Sequence, residues 1–321
     1  MTPNAKTPPN PLLQRPLPFI SRPLATFLFF ATLFVMAATA TTPEPHWIRL
    51  YDAGKMAPEG DNIGDVPNVL EYIPDKTPAP TTAIIICPGG GYQSLQMQEE
   101  GENAADWFKA HGIAAFVLPY RIHQPNGPPI NPRPLHDAQR AERWVRSKAA
   151  EFHIDPNKIG IMGFSAGGHV ASSLETHFNS GDPNATDPIE RVSCRPDFAI
   201  LVYPVISMKD GITNAVCKKN LLGLNPDPAL VQSLSNETQV TPQTPPTILF
   251  ACKDDPLVPI ENDRLMYAAL QKAGVSSEYH EYPTGGHAWG FRAKPDNSPP
   301  GWLDVTLYGW LKRMGFVTEP R

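Results

Sequence analysis

One serine in the chain is placed where it can act as a nucleophile. Ser165 lies in Gly-Phe-Ser-Ala-Gly at 163–167, after an apolar segment and before a helical one. A strand, a tight turn and a helix in this order raise the serine hydroxyl above a sheet. We expect a strained backbone at Ser165, and glycine at 163 and 167 because side chains there would collide with the turn. Since such a pentapeptide also occurs by chance, the chain must also supply an oxyanion-stabilising loop upstream and an acid and then a histidine downstream.

A glycine-rich loop is present upstream. An apolar segment ends in Pro-Gly-Gly-Gly-Tyr at 88–92. Glycines at a strand end let backbone N–H groups turn toward a bound oxygen, so we predict the amides of Gly90, Gly91 and Ala166 as donors to an oxyanion. A dinucleotide site is the alternative, but the third glycine of its pattern would fall at Ser94. The sequence therefore favours the oxyanion role and predicts no cofactor.

An acid is present downstream, after the apolar segment 247–252. The carboxylate of a hydrolase triad belongs just beyond a strand end, where it can fix the tautomer of a histidine. Asp254 and Asp255 compete for this role. We favour Asp255 because it can turn back over the sheet while Val258 packs beneath it. The alternative, that both aspartates only cap the helix starting near Glu261, does not explain their order along the chain.

The histidine with the required position is His287, one of nine in the chain. It follows the last predicted strand, lies in the glycine-containing segment 285–290 and precedes the final helix. The order Ser165, Asp255, His287 is the one that a strand-turn-helix serine requires. His169 lies four residues after the serine, and we expect it to pack against a neighbouring strand instead.

Other side chains near these motifs allow two interpretations. Tyr92 and Trp289 either stack on a sugar ring of the substrate or fill the core, and we take them as candidate substrate-binding residues. Asp137 and the three arginines that follow it at 140–146 are typical of a solvated, ion-paired helix face. No cluster of His, Asp or Glu has metal-ligand spacing, so no metal is predicted.

The segments that must position these residues alternate in type. An antiparallel opening is predicted at 47–73, followed by the continuous apolar run 83–87 of a strand covered on both faces. Strands and helices then alternate to the end, and about eight strands with helices between them predict a mostly parallel, doubly wound α/β sandwich. Two long segments interrupt this alternation. They are 119–134 and about 207–246, the second of which we interpret as a cap-like insertion, and they are candidate substrate walls or surface decoration.

The N-terminal segment 1–40 differs from the rest. It has seven prolines by position 23, three basic residues, no acids and the apolar run 24–38, which ends in Ala-Thr-Ala. This layout predicts a signal peptide cleaved after Ala40, a secreted or periplasmic protein, and no stable membrane association after cleavage. An uncleaved anchor is the alternative. With 321 residues and 41% hydrophobic content, the remainder, 41–321, is predicted to be one domain.

The net charge of the chain argues against one class of partner, and its cysteines leave the disulfide pattern open. Removing residues 1–40 takes the formal net charge from -5 to -8. A mildly acidic chain without a basic cluster is a poor nucleic-acid binder. Four cysteines can pair in three ways. For Cys87 and Cys252, which end apolar runs, we expect buried free thiols.

Together the motifs resemble the secreted bacterial α/β-hydrolases that are acetyl esterases or acetylxylan esterases, from about residue 45 to the end. In chain order they are CPGGGY at 87–92, YR at 120–121, GFSAGGH at 163–169, LLG at 221–223, PPT at 245–247, DDPLVP at 254–259 and GGH at 285–287. The resemblance implies an α/β-hydrolase fold and a serine carboxylesterase that removes acetyl groups from plant polysaccharides or oligosaccharides. It implies Ser165 as nucleophile, Asp255 as acid and His287 as base, acting on a small-molecule or carbohydrate ester.

Two other functions remain open from the sequence. A serine peptidase of prolyl-oligopeptidase type would use the same triad, but that class carries a large extra domain for which the chain has no room. A catalytically inactive binding protein on the same scaffold is the alternative outside enzymes.

Overall fold

The computed structural model describes residues 46–52, 57, 66–75, 79–291 and 298–317. The predicted signal peptide lies outside these residues. An eight-stranded sheet runs in the order β1-β2-β4-β3-β5-β6-β7-β8. Its strands are β1 (His46–Arg49), β2 (Asn68–Tyr72), β3 (Thr81–Cys87), β4 (Ala114–Val117), β5 (Ile154–Phe164), β6 (Phe198–Val202), β7 (Thr247–Cys252) and β8 (Ser277–Tyr282).

Helices connect most of the strands. They are α1 (Asn103–Ala110), which continues the turn Met97–Glu102, α2 (Arg133–Ser147), α3 (Ser165–Thr176), α4 (Ala215–Leu222), α5 (Pro228–Ser233), α6 (Glu261–Lys272) and α7 (Tyr308–Arg313), which continues the turn Trp302–Leu307.

The sheet pairs as the sequence pattern predicts. β1 pairs with β2 and β2 with β4 in antiparallel fashion, and the remaining neighbours are parallel. In β3, Ile85 packs into one core cluster while Ile84 and Ile86 pack into the other, on the opposite face of the sheet. The apolar run of this strand is needed because both of its faces are covered. The predicted α/β fold class is confirmed.

The segment 207–246 contains α4, α5 and the short turn Asn236–Thr238. The Asn236 side-chain amide donates to the Ser172 hydroxyl of α3 at 2.7 Å. At the other end of the segment, Asn220 Nδ2 donates to the Gly91 carbonyl at 2.8 Å. The insertion is therefore held against α3 and beside the glycine-rich loop.

The charged face of α2 corrects one interpretation of the sequence. Asp137 and Arg140 are only 1% and 2% exposed. Asp137 pairs with Arg121 at 2.6 Å, and Arg140 pairs with Glu190 at 2.7 Å. Arg121 comes from the loop that precedes α2 and Glu190 from a segment after α3, and the charge pattern of the helix does not reveal either contact. The expected ion pairing is thus present, but the interpretation of these residues as a solvated face is wrong.

All four cysteines are buried and free, as expected for Cys87 and Cys252. Burial raises the pKa of Cys217 and Cys252 to about 12, so both thiols stay protonated. Within the described ranges, no group of three His, Cys, Asp or Glu side chains is arranged to hold a metal ion. None of the described helices combines the length and apolar character needed to cross a membrane.

Candidate active site

Ser165 lies at the start of α3, directly after β5, with a φ of 52°. Such a φ is strained for a residue with a side chain, and strain of this kind gathers at functional sites. A Cβ on Gly163 would collide with the Gly167 carbonyl, and one on Gly167 would collide with the Cys87 carbonyl. The expected steric need for both glycines is confirmed, but for Gly167 the obstacle is the end of β3 and not the turn itself.

A chain of two hydrogen bonds joins the serine to an acid. His287 Nε2 is 2.9 Å from Ser165 Oγ, and His287 Nδ1 is 2.6 Å from Asp255 Oδ2. A carboxylate can only accept, so Nδ1 carries the hydrogen and Nε2 is left as the acceptor for the serine hydroxyl. The side chains of His287 and Asp255 are 8% and 4% exposed. The arrangement can therefore take a proton from the serine in a site largely closed to water.

The two adjacent aspartates have different partners. Asp255 Oδ1 accepts from the amides of Leu257 at 2.8 Å and of Val258 at 2.9 Å, while its other oxygen faces His287. Val258 is buried, as expected. Asp254 Oδ1 accepts instead from the Gly286 amide at 2.8 Å. Asp255 thus fixes the imidazole ring, and Asp254 holds the backbone of the histidine loop, by which we mean residues 285–290.

The glycine loop, residues 88–92, begins where β3 ends. Gly90 and Gly91 have φ values of 137° and 65°, and the Gly90 carbonyl accepts from the amides of Gln93 and Ser94, both at 3.1 Å. In the part of the chain that the structure describes, no residue accepts a hydrogen bond from the Gly90 or Gly91 amide. Ala166 is the second residue of α3, so its N–H has no partner within the helix. None of the three predicted donors is thus paired within its own loop or helix, and their role as oxyanion donors stays a prediction.

Tyr92 does not offer its ring to a substrate. It is 1% exposed, and its hydroxyl is 2.8 Å from His169 Nδ1. His169 Nε2 faces the Leu234 carbonyl at 2.8 Å, so Nε2 carries the hydrogen and Nδ1 accepts from the tyrosine. Burial lowers the pKa of His169 to about 4, which keeps the ring neutral. The substrate-binding interpretation of Tyr92 is corrected: the residue joins the glycine loop to the core, because its ring turns inward.

Trp289 is also buried, with 1% exposure. Its ring packs edge-on against Tyr203 and Trp302, with centroids 4.9 Å and 4.7 Å away. The ring has no face free for a sugar, so this substrate-binding interpretation is corrected as well. Of the two alternatives that the sequence left open, the structure supports the core role for both aromatic residues.

Two residues of the site were missed by the sequence reasoning. Glu100, 2% exposed, accepts from the Gly89 amide at 2.7 Å and from the Tyr203 hydroxyl at 2.8 Å. Tyr203 directly follows β6, has a φ of 39°, and its ring centroid lies 4.8 Å from that of His287. The position of Tyr203 at the carboxyl end of a strand next to β5 was the signal that could have found it.

The candidate site thus lies at the carboxyl ends of neighbouring strands. Ser165 follows β5, Asp255 follows β7 after a short turn, and His287 follows β8. In open α/β sheets this edge forms the binding crevice. A serine in a strained strand-to-helix turn, with an acid and then a histidine later in the chain, is the arrangement of the α/β-hydrolases.

Comparison with known proteins agrees with this class. The chain belongs to the BD-FAE family, whose sequence model matches residues 71–270. Its fold is also that of solved esterases. It superimposes on the acetyl ester-xyloside bifunctional hydrolase of Caldicellulosiruptor lactoaceticus with a TM-score of 0.77 and 42% identity, covering 87% of this chain and 100% of the other.

Two relatives were found by sequence. The chain is 35% identical over 270 residues to the acetylxylan esterase of Xylanibacter ruminicola, covering 82% of this chain and 50% of that protein. It is 36% identical over 241 residues to endo-1,4-beta-xylanase B of Butyrivibrio fibrisolvens, covering 75% of this chain and 37% of the relative. The chain therefore spans half or less of the length of these two proteins.

Proposed function

We propose that the protein is a serine carboxylesterase that hydrolyses short acyl esters, acetyl esters above all, on plant polysaccharides or their oligosaccharides. The observation that carries the proposal is the hydrogen-bonded series from Ser165 Oγ through His287 to Asp255, built on a strained turn above the sheet. A serine hydroxyl is a weak nucleophile unless a base removes its proton, and this series supplies that base.

The first half of the reaction forms an acyl-enzyme. Ser165 Oγ attacks the ester carbonyl carbon while His287 Nε2 takes the hydroxyl proton, and Asp255 stabilises the imidazolium that results. The carbonyl oxygen gains negative charge and is bound by the amides of Ala166 and of Gly90 or Gly91. The tetrahedral intermediate then collapses, the bond to the alcohol oxygen breaks, and His287 gives its proton to that oxygen.

The second half releases the acid. Water attacks the acyl carbon and gives a proton to His287 Nε2. The bond to Ser165 Oγ then breaks, and the proton returns to the serine. Two features support these proton transfers. Asp255 is held by two backbone amides, and the ring of His287 packs against that of Tyr203. Both keep the imidazole in the orientation that two opposite proton transfers need.

The surroundings of the site support a preference for short acyl groups. Val216 on α4 has a methyl group 3.6 Å from the position of a Cβ on Gly91, and it is half-exposed. Leu257, after Asp255, is 55% exposed. Beyond these two side chains, the insertion carries five prolines and the charged residues Lys209, Asp210, Lys218 and Lys219. Such a wall supports an acetyl group better than a fatty chain.

The polysaccharide substrate is supported by the names of similar proteins, two of which refer to acetyl esters or acetylxylan. Export of the protein, with cleavage after Ala40, belongs to the same proposal because the polymer lies outside the cell. Amino-terminal sequencing of the protein recovered from the medium or periplasm tests it. A mature chain that still begins at Met1 would contradict cleavage.

The nucleophile is tested with Ser165→Ala and a fluorophosphonate probe. We expect the variant to lose ester hydrolysis by on the order of a million-fold, and the probe to label Ser165 alone in the wild type. Ser147→Ala, an exposed serine of α2, is the control and should retain both activity and labelling. A folded wild-type protein that is neither labelled nor active on short esters would favour the inactive binding protein, and cleavage of peptides without cleavage of esters would favour a peptidase.

The acyl group is tested with nitrophenyl esters of increasing chain length and with acetylated xylan. Each methylene that a lipase-like site buries would add roughly 0.8 kcal/mol of binding. We expect the reverse trend: the largest specificity constant for acetyl, a steep fall beyond butyryl, and release of acetate from the polymer. Rates that peak at octanoyl without acetate release would contradict the carbohydrate-esterase assignment and leave the nucleophile unaffected.

A further inference from the structure

A buried carboxylate links the two loops on which the proposed reaction depends. Glu100 lies in the turn that leads into α1 and is 2% exposed. One of its oxygens accepts from the Gly89 amide at 2.7 Å, and the other accepts from the Tyr203 hydroxyl at 2.8 Å. The tyrosine oxygen in turn accepts from the Gly290 amide at 3.0 Å. The glycine loop and the histidine loop are thus joined through one acid and one phenol.

The contacts at Gly89 place this linkage directly beside the serine. A Cβ on Gly89 would lie 2.6 Å from the nearer Glu100 oxygen and 2.9 Å from Ser165 Cβ. The Gly89 amide is therefore fixed by Glu100 directly beside the tight turn that carries Ser165. Because the next two residues, Gly90 and Gly91, supply the proposed oxyanion donors, the direction in which their amides point is set from this residue onward.

The contacts at the other end fix the histidine. The Tyr203 ring packs at 4.8 Å, centroid to centroid, against the ring of His287. Gly290 has a φ of 37°, and a Cβ there would lie 3.2 Å both from Glu100 Cγ and from the Tyr203 hydroxyl oxygen. The next residue, Phe291, donates its amide to the Glu99 carbonyl at 3.0 Å. The C-terminal end of the histidine loop is thus docked onto the turn that carries Glu100.

We infer that Glu100 and Tyr203 are positioning residues, which set the oxyanion donors and the general base relative to Ser165. This inference rests on the proposed esterase function. The Glu100 carboxylate is buried, and each of its oxygens accepts a hydrogen bond, from the Gly89 amide and from the Tyr203 hydroxyl. Because the Gly89 amide and the Tyr203 hydroxyl both donate, a side-chain amide in place of the carboxylate would leave one of them without an acceptor.

The test is Glu100→Gln, with Glu99→Gln as the matched control. Glutamine keeps the shape but presents an NH2 group to one of two donors, so either the Gly89 amide or the Tyr203 hydroxyl loses its acceptor. Displacing an oxyanion donor or a base by a fraction of an ångström is expected to cost about 10- to 100-fold in kcat, with KM changed by less than about twofold. The control leaves the Glu99 carbonyl in place and should keep the wild-type kcat.

Tyr203→Phe provides a second variant that keeps the ring against His287 and removes only the hydroxyl. It should also lower kcat rather than raise KM. The double variant should cost about as much as the more damaging single change, because the two residues act as one unit. The rate of fluorophosphonate labelling, measured separately, should fall in the same order as kcat.

The outcomes separate the inference from the proposed function. A wild-type enzyme that hydrolyses short esters, together with a folded Glu100→Gln variant of unchanged kcat, would overturn the inference alone. The same holds if Glu100→Gln and Tyr203→Phe lower the melting temperature while kcat per folded molecule stays at the wild-type value. A wild-type protein without esterase activity would overturn both, and a selective loss of kcat in both variants would support both.

Discussion

Glu175, the penultimate residue of α3, allows a quantitative test of the structure. It is fully buried, and its Oε2 is 2.7 Å from Thr247 Oγ1, which is also 2.9 Å from the Pro245 carbonyl. A hydroxyl has one hydrogen, and a carbonyl can only accept. Both contacts are satisfied together if the carboxyl is protonated and donates to Thr247, which donates to Pro245. In agreement, burial raises the pKa of Glu175 to about 8.

The sign of the pH effect follows from this shift. Between the ordinary pKa of 4.5 and the folded-state value of about 8, the folded protein holds a proton that the unfolded chain has lost. The contribution to the free energy of unfolding is therefore complete below pH 4.5 and is lost as the pH rises to about 8. The full loss is about 5 kcal/mol, of which about half falls between pH 5 and pH 7.

The variant Glu175→Gln removes the titrating group and keeps its shape, since the amide can donate to Thr247. We expect the free energy of unfolding of the wild type, relative to the variant, to fall by about 2–3 kcal/mol from pH 5 to pH 7. Urea unfolding followed by tryptophan fluorescence at constant ionic strength measures it. Glu151→Gln, an exposed glutamate, is the control and should retain the wild-type slope. Parallel curves for wild type and Glu175→Gln across this range would refute the buried protonated carboxyl.

Two further predictions concern charged side chains. Asp255→Asn should lower kcat by about ten-thousand-fold with the fold intact, because the imidazole loses the partner that fixes its tautomer. Asp254→Asn should lower kcat far less. Kinetics on nitrophenyl acetate compare the two variants, and the reverse ranking would show that the acid is misassigned. Arg121→Ala should lower the free energy of unfolding by about 3–5 kcal/mol, because it removes the guanidinium that pairs with the buried Asp137 carboxylate. Denaturant titration measures this loss, and a value below about 1 kcal/mol would contradict a tight buried pair.

The features that the sequence predicted well are the local ones. The turn that carries Ser165 could be predicted because part of its steric requirement is local: a Cβ on Gly163 would meet the Gly167 carbonyl four residues on, although Gly167 itself is required by the Cys87 carbonyl of β3. The antiparallel opening and the mostly parallel remainder of the sheet follow from apolar runs and their alternation with helices. The position of Asp255 beside His287 is also local in origin, since the amides two and three residues further on hold its carboxylate.

The features that the sequence did not predict depend on distant partners. Tyr92 was a candidate for substrate contact because it lies next to the glycine loop, but its burial is set by His169, which is remote in the chain. The charges of α2 looked solvated because a helix pattern does not show which loops fold over it. Glu100 was missed for the same reason: its two donors, Gly89 and Tyr203, meet only in the folded sheet.

The order of strands has a consequence for how the site fails. The proposed base, His287, lies in the loop after β8. This strand forms one edge of the described sheet and pairs only with β7. Every residue of β8 is partly exposed, whereas β5 and β6, which carry Ser165 and Tyr203, lie inside the sheet. Edge elements open at a lower free energy than the centre. Mild denaturant should therefore separate His287 from Ser165 while the turn that carries Ser165 is still folded. Activity should then be lost at a lower denaturant concentration than the one that unfolds the sheet.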